Sequence, residues 1–180
     1  MANMKDCSKF EVNNQYYTPK SAWEQIIHLI PKDKIVWEAF LLGSNKSKSV
    51  ANLKSLNVNV IGNTEWDYFD KCKDMEYDLI VSNPPFETKL KQDILKSLVS
   101  IDKPFILILN CMNVFSNYFN DIFKDHRQHL QIVYPKGKIY FEKLLENGET
   151  ELKKGTSFYC VYVCFKMNIA NDKLYLDQIT

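Results

Sequence analysis

An apolar strand that runs straight into two prolines constrains this chain more than any other feature. The segment is Asp78-Leu79-Ile80-Val81-Ser82-Asn83-Pro84-Pro85-Phe86. Leu79-Ile80-Val81 has the short, continuous apolar character of a strand buried on both faces of a parallel sheet. Pro84 and Pro85 cannot donate to a sheet ladder, so the chain must leave the sheet there. Each proline fixes its own φ, and Pro84 also restricts Asn83, which makes the exit stiff. Open parallel sheets bind ligands in the crevice beyond the carboxyl ends of their strands. Asn83, Pro84, Pro85 and Phe86 are therefore the candidate catalytic loop.

The residue types suit a planar exocyclic amine. Such an amine, conjugated to a ring, is a poor nucleophile whose lone pair must be turned toward its electrophile. The Asn83 side-chain oxygen and the Pro84 carbonyl are two acceptors for its two N–H groups. Phe86 offers a flat apolar face on which a base can stack. A base inside a duplex would first have to be flipped out.

Around this loop the pattern alternates. Helices are expected over residues 21–30, 47–56, 89–98 and 114–124. Strands are expected over 34–40, 58–61, 78–81, 104–109, 130–134 and 158–165. Strands alternating with helices imply a parallel α/β sheet. Residues 63–77 are acidic and aromatic but too few for a full helix plus strand. With 180 residues and 46% hydrophobic content, one domain with a proper core is expected. Residues 1–15 read as a loose polar segment and 16–180 as that domain.

Charge and cysteines narrow the classes. A formal net charge of +1 gives no global basic field, so any nucleic-acid contact must come from a local patch. Cys7, Cys72, Cys111, Cys160 and Cys164 are scattered without CxxC spacing, which points away from a zinc site or a disulfide framework. His126 and His129 read as a surface helix end, and no metal is expected. With no secretory segment and no membrane-length apolar run, an intracellular protein is the simple reading, in a microbe or an infected host cell.

Taken in order, the motifs resemble the DNA adenine-N6 methyltransferases, especially the small single-domain enzymes of phages and large DNA viruses. Tyr16-Tyr17-Thr18-Pro19 before a helix is similar to the family's amino-terminal donor motif. Val36-Trp37-Glu38-Ala39-Phe40 through Gly43 resembles the first donor motif, with its glycine-rich run reduced to one glycine. Glu65-Trp66-Asp67-Tyr68-Phe69 resembles the acidic-aromatic donor motif, and Asn83-Pro84-Pro85-Phe86 the catalytic motif. Lys138-Ile139-Tyr140-Phe141 and Ser157-Phe158 resemble the carboxyl-terminal pattern, with Lys138 where the family usually has Arg. The likeness covers about residues 16–166.

The resemblance implies a compact class I, Rossmann-like S-adenosylmethionine-dependent methyltransferase fold, mostly parallel with an antiparallel last strand. It implies S-adenosylmethionine as cofactor, held by Tyr17, Thr18, Pro19, Glu38, Phe40, Gly43, Asp67, Tyr68 and Phe69. The short 63–77 segment suggests that one strand and helix common in that fold are missing. DNA is the implied partner, and a homodimer or a partner subunit is compatible with it. Residues 135–156 read as the target-contacting loop, with Lys136, Lys138, Phe141 and Phe158 as substrate-binding residues. That loop mixes lysines and aromatics with Glu142, Glu146, Glu149 and Glu151, so a solvated mixed-charge excursion is the competing reading. Amino methylation of an RNA base or of a protein glutamine, or a non-catalytic scaffold subunit, are the rival functions.

Overall fold

The computed structural model describes residues 16–41, 48–144, 150–152 and 158–170. Its strands are β1 (Tyr16–Tyr17), β2 (Val36–Trp37), β3 (Val60–Ile61), β4 (Leu79–Ser82), β5 (Phe105–Asn110), β6 (Leu130–Val133), β7 (Glu142–Leu144), β8 (Thr150–Leu152) and β9 (Cys160–Phe165). Its α-helices are α1 (Lys20–Glu24), α2 (Lys48–Ser55), α3 (Tyr68–Lys71), α4 (Thr88–Ile101) and α5 (Asn117–Phe123). Six strands form the main sheet in the order β3-β2-β4-β5-β9-β6. The first four run parallel, and β9 is antiparallel to both β5 and β6. The expected fold, including the antiparallel last strand, is what the chain adopts.

Period-2 alternation explains why the sheet is buried on both faces. Ile80, Phe105, Leu107, Val161, Val163 and Phe165 point to a core shared with α4 and α5. Leu79, Val81, Ile106, Ile108, Tyr162 and Cys164 point to the opposite core, with Trp23 of α1, Leu53 of α2 and Ile26. Asp78 sets the register at the start of β4: its Oδ2 accepts the Ile35 N–H at 2.7 Å. That backbone bond is the main reason its carboxyl titrates below the usual value.

Of three local expectations two change, and one holds in that the strand expected to be missing before β4 is absent among the described residues. The helix expected over 21–30 ends at Glu24, and Ile27–Leu29 continue as a 3-10 turn. Ile26 leaves helical dihedrals, with φ −114° and ψ 1°. Between β3 and β4 the described chain holds one short helix, α3, and no strand, so β3 is the sheet edge. Third, the segment 135–156, read as a loop, carries β7 and β8. They pair with β1 in a separate antiparallel sheet of order β1-β7-β8. Tyr17 lies opposite Glu142 in that sheet. This long-range pairing ties the region expected to meet the target to the strand that leads into Thr18-Pro19.

Candidate active site

Three of the parallel strands end at the same end of the sheet with residues of interest. Glu38 follows β2, Gly62 follows β3, and Ser82-Asn83 close β4. Asn83 is half-buried, and its Nδ2 donates to Thr18 Oγ1 at 3.2 Å. Its Oδ1 makes no hydrogen bond among the described residues, which leaves it as an open acceptor. Thr18 is buried, and its own carbonyl accepts from Asn52 Nδ2 of α2 at 3.2 Å. Thr18, expected at the donor, is thus the residue that orients the Asn83 amide. Pro19, the N-cap of α1, is buried behind it.

Pro84 is buried, Pro85 half-buried, and the loop then stops abruptly because Glu87 caps α4. The Glu87 carboxylate accepts the N–H groups of Lys89 and Leu90, and those two bonds pull its pKa below the ordinary range. Phe86, between proline and cap, keeps 41% of its surface exposed. Its ring packs edge-on against Phe141 at 6.4 Å and beside Phe158 at 5.9 Å. Phe141 itself is fully buried, so it backs the Phe86 ring and presents no face of its own.

Outside this aromatic set lies a second one. The Lys138 ammonium sits 5.8 Å from the Tyr140 ring and 5.1 Å from the Tyr159 ring. Both tyrosines are exposed, as are Met112 and Phe115 after β5. Sequence reading did not single out Tyr159, Met112 or Phe115. The alternation Tyr140-out, Phe141-in and the position of Tyr159 just before β9 were the available signals. Lys136 is exposed, and its backbone N–H is held by Gln25 Oε1 at 2.8 Å.

On the other side of Asn83, Glu38 is buried among hydroxyls. Ser49 Oγ donates to its Oε2 at 2.6 Å, and Ser82 Oγ donates to its Oε1. Burial pushes its pKa up to about 7, and the two serines and the Phe40 N–H pull it back only in part. Gly62 lets β3 end tightly against this acid: a Cβ there would lie 2.9 Å from the Glu38 carbonyl oxygen and 2.9 Å from Val50 Cγ2. Gly43, the glycine expected at the donor, lies outside the described residues.

Asp67 caps α3, its Oδ1 accepting the Phe69 N–H at 2.9 Å. Its Oδ2 is buried without a hydrogen-bond partner. A buried carboxylate oxygen left bare is costly, so this atom is suited to a ligand donor. Phe40 and Phe69 are partly exposed nearby, their rings 5.1 Å from that of Tyr68. Tyr68 is fully buried; it stacks on Trp37 at 5.7 Å and donates to Ser97 Oγ at 3.0 Å. It therefore belongs to the core beneath Phe40 and Phe69. Tyr17 is also buried, next to Thr18.

The chain thus places an open amide oxygen and an exposed ring at the carboxyl end of β4, a buried acid just after β2, and a bare buried carboxylate oxygen at the cap of α3, which follows β3. No three acids, histidines or cysteines cluster as a metal site among the described residues. No helix among them is long and apolar enough to cross a membrane. No protein-family pattern and no curated protein matches the chain. Solved structures do. One from Listeria monocytogenes, assigned to the class I S-adenosylmethionine-dependent methyltransferases, aligns over 97% of this chain with a TM-score of 0.51 and 11% identity. This chain spans 66% of that structure's length. An O-methyltransferase from Thermotoga maritima (TM-score 0.38, 9% identity, 81% of this chain and 64% of that one) is too remote to carry an argument. So is a precorrin 8w decarboxylase from Methanobacterium thermoautotrophicum (TM-score 0.40, 12% identity, 81% of this chain and 87% of that one). By its sheet order, its antiparallel last strand and this likeness, the chain has the fold of the class I S-adenosylmethionine-dependent methyltransferases.

Proposed function

We propose that this chain methylates an exocyclic amine of a nucleic-acid base, with adenine N6 in DNA as the substrate that the order of its motifs supports best. The observation that carries the reading is Asn83, fixed by Thr18 with its Oδ1 open, beside the exposed Phe86 ring at the carboxyl end of β4. S-adenosylmethionine supplies, when bound, a methyl carbon activated by its sulfonium. Asp67 would hold the donor's adenine amine through the bare Oδ2, and Glu38 its ammonium. Asn83 Oδ1 and the Pro84 carbonyl would take the two N–H groups of the target amine and turn its lone pair toward the methyl. Phe86 would stack on the base. The nitrogen–carbon bond forms as the carbon–sulfur bond breaks, and the amine proton leaves to solvent. Such a displacement needs alignment and water exclusion more than a covalent intermediate.

The deciding experiment incubates purified protein with methyl-labelled donor and a panel of DNA, RNA and protein substrates, with mass spectrometry of the product. Label on adenine N6 of DNA is the expected outcome. Label on an RNA base or a glutamine would move the substrate, and no donor binding at millimolar concentration would return the chain to a scaffold role.

Two substitutions follow. Asp67→Ala removes the bare Oδ2 that would accept from the donor's amine. Donor affinity should drop by roughly tenfold to a hundredfold, as expected for a lost hydrogen bond to a charged group. Loss of the α3 cap should also cost about 1 kcal/mol of stability. Calorimetric titration with S-adenosylhomocysteine measures the first and thermal unfolding the second; unchanged affinity would place the donor amine elsewhere. Phe86→Ala should lose about 1–3 kcal/mol of target affinity, the worth of one stacked base. Phe86→Tyr and Phe86→Trp should keep most of it. Equal losses in all three would assign Phe86 to packing against Phe141 and Phe158.

A further inference from the structure

Lys91 lies on the first turns of α4 and is only 6% exposed. Leu90, Ile94 and Leu95, its helix neighbours, are core residues. Its Nζ donates to the Phe86 carbonyl at 3.2 Å and to Asn113 Oδ1 at 3.1 Å. Both acceptors are neutral, and among the described residues no carboxylate pairs with it. Burial lowers its pKa, an effect that the charge of Glu87 partly opposes. A buried amine on two carbonyl oxygens is an expensive way to fill this space, because desolvating an ammonium costs several kcal/mol that neutral acceptors repay poorly. A methionine would fill a similar volume at lower cost.

What the lysine spans gives the reason. The Phe86 carbonyl ends the catalytic loop after β4. Asn113 ends the 3-10 turn Cys111–Asn113 after β5, the neighbouring strand. Asn113 is itself fixed: its Oδ1 also accepts from Tyr118 OH of α5, and its Nδ2 donates to the Asn110 carbonyl at 2.7 Å. The chain Tyr118–Asn113–Lys91–Phe86 therefore joins α5 and the loop after β5 to the loop after β4. Exposed Phe86 stands on one side of this join, and exposed Met112 and Phe115 on the other. Neither Pro84 nor Pro85 has an N–H with which to anchor the catalytic loop, so an external tie has most effect here.

We propose that Lys91 is a positioning residue, tying the Asn83–Phe86 loop to the Asn113 turn and so fixing the width of the crevice in which the target base is held. The inference rests on the methyl-transfer reading and deepens it. Residues that break a local rule at a net cost to stability tend to be kept for function.

The test is Lys91→Met in the full chain, beside Asn113→Asp, which preserves the oxygen acceptor for Lys91. In Lys91→Met, kcat should drop about tenfold to a hundredfold, the scale of an ångström-sized misplacement of reacting groups. Donor affinity should stay within about twofold, and the melting temperature should hold or rise, since an ammonium no longer has to be buried. Asn113→Asp keeps the oxygen acceptor for Lys91 but loses the Nδ2 donation to the Asn110 carbonyl, so it should keep more activity than Asn113→Ala. A merely structural lysine predicts the reverse pattern: a lower melting temperature with kcat intact, and that result overturns the proposal. If the wild-type protein transfers no methyl to any substrate, the functional reading fails separately. Amide exchange then decides the tie itself. Faster exchange in Lys91→Met at both Phe86–Lys89 and Met112–Val114, with β5 unchanged, supports it; unaltered exchange at either loop overturns it. Should Lys91→Met not fold, Asn113→Ala breaks the tie from its other end and is read the same way.

Discussion

Asn83→Ala is expected to lower turnover by on the order of 10²–10³, the loss seen when one preorganised polar partner of a transition state is removed. Donor affinity and melting temperature should hardly move. The argument is positional. Asn83 Nδ2 is engaged by Thr18 Oγ1, so the amide cannot swing, and its open Oδ1 is committed to whatever occupies the crevice. Among the described residues, neither Asp67 nor Glu38 hydrogen-bonds to the Asn83 side chain. Thr18→Val provides an internal control, since it removes the hydroxyl that holds Nδ2 and keeps the side-chain shape. Roughly a tenfold drop in kcat is expected, because the amide is then present but free to rotate. Thr18→Ser should restore the wild-type rate. Single-turnover measurements at saturating donor separate these effects from binding; an Asn83→Ala protein that turns over at the wild-type rate would remove the residue from the mechanism.

The sheet was legible because its signals are local. Leu79–Ser82, Phe105–Asn110 and Cys160–Phe165 are apolar runs whose alternate residues serve two cores, and each was expected within two residues of its observed bounds. The small sheet was not legible. β1 and β8 are two and three residues long, and Glu142-Lys143-Leu144 of β7 carries no hydrophobic period. Their pairing is set by a contact across the chain, Tyr17 opposite Glu142, and by the Lys48–Glu142 ion pair. Neither leaves a mark in a window of ten residues. α3 is a single turn fixed by the Asp67 cap, so its residues looked like loop.

The site divides in the same way. Asn83 to Phe86, Glu38 and Asp67 stand out by residue type: Asn83 to Phe86 follow β4, Glu38 follows β2, and Asp67 caps the helix after β3. Their partners do not stand out. Thr18 is expected at the donor, and its hold on the Asn83 amide shows only once the two side chains lie 3.2 Å apart. Ser49 and Ser82 acquire meaning only as the hydroxyls on Glu38. Lys91 reads as one more surface lysine of an amphipathic helix. Its burial depends on how α4 lies over the loop after β5, which no spacing rule reports.

Glu38→Gln is expected to make the protein more stable at alkaline pH while abolishing the pH dependence of donor binding. Glu38 has an ordinary value of 4.5 and a folded value pushed up to about 7. The folded state therefore holds a proton that the unfolded chain releases between these values. The stabilisation from this proton is complete below about 4.5 and is lost as pH rises through about 7. Above that, an ionised carboxylate is buried on two serine hydroxyls, at a penalty of about 3 kcal/mol at most for a shift of this size. Glutamine is neutral at every pH and keeps an oxygen for one serine, and the other hydroxyl can turn to accept from its amide. Urea unfolding should show wild type and Glu38→Gln nearly equal at pH 5, with the variant more stable at pH 8. Donor binding should move the other way. The ammonium of S-adenosylhomocysteine requires ionised Glu38, so wild-type affinity should weaken about tenfold for each unit of pH below about 7, because the proton competes. In Glu38→Gln it should be pH-independent and weaker at pH 8 by roughly tenfold to a hundredfold. A wild-type affinity that is flat from pH 5 to 8, with Glu38→Gln binding equally well, would leave Glu38 as a buried acid that only joins β2 to β4 and would send the donor ammonium to another partner.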